Sequence, residues 1–429
     1  MHAKPWLYRP VGAALACLLA APLAAVAATD PVTPADLSAI ASADVVAGQT
    51  ERVTLQQAVE RAMQTHPVLA AASYEMAASE GALDQASRLR NPEAAFVTED
   101  VRRNRATMTA QLNIPLELGG KRAARTRAAE LGRDAVTQGA AVLRAELRAD
   151  VTRTFFDLLI AQERLTLAQA SDTLAAQAES AAARRVQAGK VSPVEQTKAG
   201  VARASAAIEL RDAGAELLVA QRALSAFWGG AAAAPQADGS AETLPVVPPE
   251  ARQATTTLDN TPRAVRARLE IDRRQALANV ERSKRVPDVT VNVGVKRDSS
   301  ANNNMAVLGV AVPLPLFDRN QGNLLEAQRL ADKAFEDYRA LQLEQNATLA
   351  QDVARLDAAR TAVQSLRQDV LPGAQRAYDA ARIGFDAGKF NFLDVLDAQR
   401  TLFQARAQYL AALSRAHQAA AGIDRILGR

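Results

Sequence analysis

The 429-residue chain holds one cysteine, Cys17, and three histidines, His2, His66 and His417. So few thiols and imidazoles, so widely scattered, offer no Cys/His set at zinc-ligand spacing. One cysteine also excludes a disulfide within a single chain. Beyond the first residues the methionines are Met63, Met76, Met108 and Met305, which form no thioether ladder. No nucleophile, base and orienting acid fall into a recognisable pattern. "LELGGKRAAR" (116–125) lacks the spacing of a phosphate-binding loop. The sequence therefore points to no enzyme, no cofactor and no resident metal. Aromatic residues make up 4% of the chain, and much of the 48% hydrophobic content is alanine. Many small side chains and few large ones suit thin helices packed closely over a long distance. An excess of one charge is also missing: 51 basic against 47 acidic residues leave +4, which excludes the basic footprint of a nucleic-acid binder.

Long apolar runs are absent except at the start. Lys4 and Arg9 precede an uncharged stretch from Val11 to Ala28 that ends in "AVAATD". This is the pattern of a secretory signal peptide over 1–28, cleaved near Ala27 or Ala28. Cys17 lies inside it. Lipidation at Cys17 is the rival reading, although "ALAC" is a poor lipobox. After this run no apolar stretch of roughly 18 residues remains, so no membrane-spanning helix is expected.

What the chain does have is one unit used twice. "IPLELGGKR" (114–122) recurs as "VPLPLFDRN" (312–320), and "QAGKVSPVEQ" (187–196) recurs as "DAGKFNFLDV" (386–395), at nearly the same offset. A break falls in the Ala-, Pro- and Gly-rich stretch 229–257, read as a linker or irregular subdomain. The expected organisation is a tail over 29–53, a first repeat over 54–228, the linker, and a second repeat over 258–429. Each repeat runs helix, two strands, long helix (121–187 or 320–387), Gly-Lys tip and returning helix. The fold class is mainly α with four strands.

The strands, expected at 92–101, 106–116, 288–297 and 305–316, alternate with period two. Val289, Val291, Val293 and Val295 oppose Thr290, Asn292, Gly294 and Lys296. Met108, Ala110, Leu112 and Ile114 oppose Thr107, Thr109, Gln111 and Asn113. Leu308, Val310, Val312 and Leu314 oppose Gly309, Ala311 and Pro313. The pattern admits a small sheet packed on helices and equally a membrane barrel with apolar residues outward. Four strands cannot close a barrel, since membrane barrels start at about eight. Three copies would supply twelve.

The long helices keep a seven-residue beat: Leu147, Thr154, Ala161, Ala168, Ala175 and Ala182 in one, Leu349, Leu356, Val363, Val370, Ala377 and Gly384 in the other. Sustained heptads read as coiled coil. Pro372 should kink the second helix. At the tips, Gly189 and Gly388 suit helix C-caps. Ser192, with Pro193 and Glu195, and Asn391, with Asp394, suit N-caps of the returning helices. Asp397 stands nearly a turn further in, where capping no longer accounts for it. A basic cluster of Arg88, Arg90, Lys121, Arg122, Arg282, Lys284, Arg285 and Arg319 falls near one end of the strands, and reads equally as a solvated charged surface or as a level that meets anionic lipid head groups.

Duplication, element order and tips together resemble the TolC-like outer-membrane efflux protein family across the whole mature chain. "IPLELGGKRAAR" and "VPLPLFDRNQGNLLEA" are similar to its heavy-metal subgroup, the outer-membrane components of cobalt-zinc-cadmium efflux. "AGKFNFLDVLDAQRTL" (387–402) looks like the family's second hairpin tip. The resemblance implies a homotrimeric conduit: a twelve-strand barrel in outer-membrane lipid above a coiled-coil α-helical barrel in the periplasm, girdled by a belt to which 29–53 and 229–257 are candidates. It implies a periplasmic adapter (membrane fusion) protein and an inner-membrane pump of the resistance-nodulation-division type as partners. It makes Asp394 and Asp397 the aperture gate, and Gly189, Lys190, Val191, Gly388, Lys389 and Phe390 adapter contacts. A conduit for drugs or proteins would share this architecture, and a periplasmic coiled-coil protein would share the heptads alone.

Overall fold

The computed structural model describes residues 50–100, 106–230, 233–252 and 258–429. The expected signal peptide, Cys17, the first part of the tail and the turn at 102–105 lie outside the described residues.

Strand β1 (Thr50–Thr54) leads into α1 (Leu55–Thr65), which starts on a capping box between Thr54 and Gln57. Pro67 ends α1, because its ring has no N–H and clashes with the preceding turn. His66 serves both sides of that break, closing α1 and capping α2 (Pro67–Ser87) through Nδ1, which accepts from the Val68 amide at 3.3 Å. Strands β2 (Glu93–Glu99) and β3 (Thr107–Leu116) follow, then α3 (Lys121–Gln187) and its return α4 (Pro193–Ser225). A short strand β4 (Ala234–Asp238) and a single turn α5 (Pro249–Arg252) lie in the Ala/Pro-rich stretch. Next come α6 (Pro262–Ser283), β5 (Val289–Asp298), β6 (Asn303–Ala311), α7 (Gln321–Ser365), a π-helical turn at Leu366–Val370, α8 (Leu371–Asp386) and α9 (Phe392–Leu427).

At 1.5 Å per residue, α3 is about 100 Å long. Its expected seam is the observed one: Leu147, Thr154, Ala161, Ala168, Ala175 and Ala182 are all buried. The packing face of α4 is alanine at the same interval, Ala199, Ala206 and Ala213. Side chains this small let the backbones approach closely but contribute little burial each. Larger residues gather midway. Val151, Phe155, Leu158, Leu224, Trp228 and Leu413 form one cluster, and Leu349, Leu356, Ile423 and Val247 form another. Each of these large side chains stabilises by about 1.5–3 kcal/mol on burial, so this level anchors the long helices.

The second seam departs from expectation. Leu349, Leu356 and Val363 are buried, but Val370 and Ala377 are exposed. The π turn at Leu366–Val370 inserts one residue, and burial resumes at Ala374, Tyr378, Ala381 and Phe385. Pro372 explains the insertion. It cannot donate to the turn below, and widening that turn relieves the ring clash without breaking the helix.

Four strands form one antiparallel sheet in the order β2-β3-β5-β6, with β2 and β6 as free edges. Phe96, Ala110, Val295 and Ala306 lie in one cross-strand row, and Ala94, Leu112, Val293 and Leu308 in the next. This apolar face is the exposed one, with Phe96 at 82% and Leu308 at 80%. The face carrying Gln111, Asn113 and Asn292 is half-buried. At Gly294 an added Cβ would come within 2.5 Å of the Ala110 carbonyl oxygen, so only glycine fits this crossing. Strand β6 stops at Ala311, short of the expected 316, because Pro313 and Pro315 cannot donate to a ladder.

Midway, β1 pairs in parallel with β4. The side-chain amide of Gln162 on α3 brackets Ala237, donating to its carbonyl at 3.0 Å and accepting from its amide at 2.7 Å. Arg360 on α7 donates to the Pro245 carbonyl at 3.0 Å. Residues 233–252 thus form a strap across α3 and α7.

Candidate functional site

Both tips close the same way. Gly189 (φ 69°) and Gly388 (φ 73°) take the left-handed conformation. The Lys190 amide donates back to the Arg185 carbonyl at 2.9 Å, and the Lys389 amide to the Gly384 carbonyl at 2.8 Å. This double-turn closure satisfies carbonyls that a helix end leaves open, and it suits glycine. The N-caps differ. Asn391 and Asp394 form a full capping box, Asn391 Oδ1 accepting from the Asp394 amide at 3.0 Å and Asp394 Oδ2 from the Asn391 amide at 3.1 Å. The Ser192 side chain accepts from the Val194 amide, at 3.3 Å, and Glu195 does not reach back. The N-cap expected of Ser192 is therefore made, but without a capping box.

Lys190, Lys389 and Phe390 are exposed, while Val191 is half-buried. The Phe390 ring lies against Gly384, filling the space a Cβ would need. Asp394 and Asp397 are both exposed on one face of α9, three residues apart. One contact between the hairpins escaped the sequence. The Arg185 guanidinium lies 3.6 Å from the Phe385 ring centre, and its Nη2 donates to the Phe385 carbonyl at 3.4 Å. No local pattern marks this pair, because the two residues meet only when α3 and α8 lie side by side.

At the other end, where strands become helices, charged residues interlock. Arg125 on α3 donates to Glu117 (2.6 Å), to the Ala86 carbonyl (2.7 Å) and to the Arg88 carbonyl (2.8 Å). Lys121 reaches Asp288 at 2.5 Å, and Asp288 also accepts from the Leu118 amide at 3.3 Å. Arg90 stands between Glu117 (3.3 Å) and Asp288 (3.5 Å). Lys121 is thus compensated for its unfavourable place at a helix start. The Arg125 hydrogen bond holds the Glu117 carboxyl below the usual carboxylate range. Burial pushes Asp288 up, but Lys121, the Leu118 amide and Arg90 together leave it lowered. Of the basic cluster, Arg88, Arg90, Lys121 and Lys284 are in ion pairs within the chain. That compensates half of the eight cations expected at this level.

His417 on α9 is buried at the strap, stacked 3.6 Å from Phe156 and hydrogen-bonded to the Ala241 carbonyl at 2.8 Å. Burial lowers its imidazole pKa, opposed by that hydrogen bond. The folded chain therefore resists a proton that the unfolded chain takes up near the ordinary value of about 6.5. Stability is full above that value and declines as pH falls through it. We expect the denaturation midpoint to drop between neutral and mildly acidic pH, and His417→Gln to flatten that slope. A slope unchanged by the substitution would assign it to other groups.

Among the described residues no three His, Cys, Asp or Glu side chains are placed to hold a metal ion, and no helix is long and apolar enough to cross a membrane. What the chain presents instead is a sheet with its apolar face outward, mounted on very long helices. The family model for outer membrane efflux proteins matches residues 58–230 and again 254–429.

The chain belongs to the outer membrane efflux protein family.

It is 51% identical over 381 residues to the cobalt-zinc-cadmium resistance protein CzcC of Cupriavidus metallidurans, covering 88% of this chain and 90% of that one. It is 27% identical over 250 residues to the nickel-cobalt-cadmium resistance protein NccC of Alcaligenes xylosoxydans xylosoxydans, covering 58% of this chain and 56% of that one. Among solved structures it superposes on the transmembrane channel protein CusC with a TM-score of 0.76 at 17% identity, covering 89% of this chain and 95% of that one. VceC of Vibrio cholerae gives 0.74 at 19%, covering 87% and 96%. At these identities the superpositions establish the fold alone. Membership makes this an outer-membrane efflux channel protein, and its family is one of efflux proteins rather than enzymes.

Proposed function

We propose that three copies assemble into a passive conduit that carries divalent heavy-metal cations, of the cobalt, zinc and cadmium type, out of the cell. The observation that supports this most is the inverted sheet: the apolar rows of Phe96 and Leu308 face outward while Gln111 and Asn292 are the better covered. In water that arrangement is unfavourable, and in lipid it is the expected one. Free edges at β2 and β6 let neighbouring sheets join, and three protomers close a twelve-strand barrel. The two halves act as one duplicated unit, each contributing a strand pair and a helical hairpin. The hairpins line a periplasmic tunnel, and the strap with β1 and β4 forms its belt. A periplasmic adapter meets Gly189, Lys190, Val191, Gly388, Lys389 and Phe390, and an inner-membrane pump of the resistance-nodulation-division type loads the tunnel. Asp394 and Asp397 from three copies ring the narrow end. Their carboxylates attract cations, and Asp394 additionally caps its helix.

Metal cargo follows the likeness to CzcC. No ligand set of the chain is needed for it, since pump and adapter select the ion. The test is growth of a deletion strain on cobalt, zinc, cadmium, nickel, copper and a panel of drugs. We expect sensitivity confined to divalent metals and restored by the gene. Sensitivity to drugs alone would keep the conduit and overturn the cargo.

A further inference from the structure

Past the end of β6 the chain does something its counterpart after β3 does not. The even-numbered residues of β6, Leu308 and Val310, lie on the outward apolar face, and that parity continues through Val312, Leu314 and Leu316. Ala311 pairs with Thr290, so Val312 stands level with Val289, the first residue of β5. Leu314, Leu316 and Phe317 therefore lie beyond the strands, on the helix side of the sheet. They are among the most exposed large apolar residues of the chain, Leu314 at 75% and Phe317 at 92%.

Two further features separate this arch from an ordinary loop. First, its backbone is poor in donors. Pro313 and Pro315 have no N–H, and the Leu316 amide is used by the Leu314 carbonyl at 2.9 Å. Lipid penalises bare backbone N–H groups heavily, so a segment with few of them can enter an apolar medium. Second, the change back to polar chemistry is abrupt. Asp318 accepts from the Asn320 amide at 2.8 Å, and Asn320 Nδ2 donates to Glu281 Oε2 at 2.7 Å and to the Glu281 carbonyl at 2.9 Å. This holds the start of α7 against the end of α6. The arch is thus fixed at both ends, apolar up to Phe317 and polar from Asp318. After β3, by contrast, Glu117 turns inward to Arg125 and the Leu118 amide binds Asp288.

We propose that the arch 312–317 is an interfacial anchor, seated among the glycerol and upper acyl groups of the phospholipid leaflet that faces the periplasm. This rests on the membrane reading of the sheet given above. Apolar contact is the main hold on the anchor: Arg88, Arg90, Lys121 and Lys284 are paired with carboxylates, and the exposed Arg319 adjoins only its polar edge. Each protomer supplies one anchor, from its second half only.

The test reconstitutes the full-length protein with Phe317→Trp, or Leu314→Trp as a second variant, in phosphatidylethanolamine and phosphatidylglycerol vesicles. The lipids carry bromine either near the acyl carbonyl or near the chain end. Fluorescence is read as the difference from the parent chain, whose Trp228 is buried at the belt. Phe96→Trp, in the middle of the sheet, reports insertion of the barrel itself. We expect the shallow quencher to exceed the deep one by about twofold or more at 317 and 314, the reverse at 96, and the same depths in phosphatidylcholine alone. Quenching at 96 without quenching at 317 and 314 would overturn the anchor while leaving the barrel intact, since water or a neighbouring copy would then cover the arch. Deep quenching at 317, or its loss in phosphatidylcholine, would also overturn it. No quenching at any position would overturn the membrane reading and the anchor together.

Discussion

Arg125→Ala is expected to destabilise the protein by about 2–4 kcal/mol, the cost of leaving buried charged and polar groups without their partner. The Glu117 side chain is 6% exposed and would keep only Arg90, at 3.3 Å. The Ala86 and Arg88 carbonyls would lose a donor at the point where α2 hands over to β2. Arg125→Lys should recover only part of the loss, because one ammonium cannot bridge a carboxylate and two carbonyls as a planar guanidinium does. The measurement is the denaturation midpoint of detergent-solubilised protein, read beside the temperature at which oligomer bands disappear on heating. Glu117 and Asp288 add a pH signature. Both are held below their ordinary values, so their contribution is full above those values and is lost as pH falls through the lowered ones. Arg125→Ala should therefore be less sensitive to acid than the parent chain. Equal stability of Arg125→Ala and the parent would mean that the interlock carries no weight.

The second large effect concerns the aperture proposed at Asp394 and Asp397. Replacing both Asp394 and Asp397 by Ala should leave a folded assembly whose closed-state conductance in a planar bilayer is raised. Its preference for cations should fall by about tenfold, the scale on which a charged ring concentrates counter-ions. The two positions are separable. Asp394 Oδ2 accepts from the Asn391 amide, so Asp394→Ala also costs about 1 kcal/mol of capping. The Asp397 side chain caps nothing; beyond the helix ladder, Thr401 Oγ1 donates to its backbone carbonyl. Asp397→Ala should therefore change conductance without changing stability. Unchanged conductance in the double variant would remove both residues from the gate.

These two sites differ in how legible they were. The tips could be read directly, because Gly189, Gly388, Ser192 and Asn391 act on residues within one turn of themselves. Alternation in the strands was equally plain, and so was the seam of α3, where every expected position is buried. Periodicity failed at Val370 and Ala377. The sequence showed Pro372, but whether a helix answers a proline with a kink or with a widened turn depends on what α9 packs against it.

Length, repeat, strand alternation and heptads are local or periodic properties, so the sequence alone determined the order of elements, while the expectation of a channel came with the family its motifs resemble. Contacts between distant segments were decided only by the tertiary structure. Arg125 with Glu117 and two carbonyls, Arg185 with Phe385, and His417 with Ala241 each join residues that no spacing rule connects. The direction of the sheet was decided there too. Period two states that one face is apolar, but only the packing of the strands shows that this face, carrying Phe96 and Leu308, is the one turned outward. A side chain's period is set by its own backbone, whereas its partner is set by where the rest of the chain comes to lie.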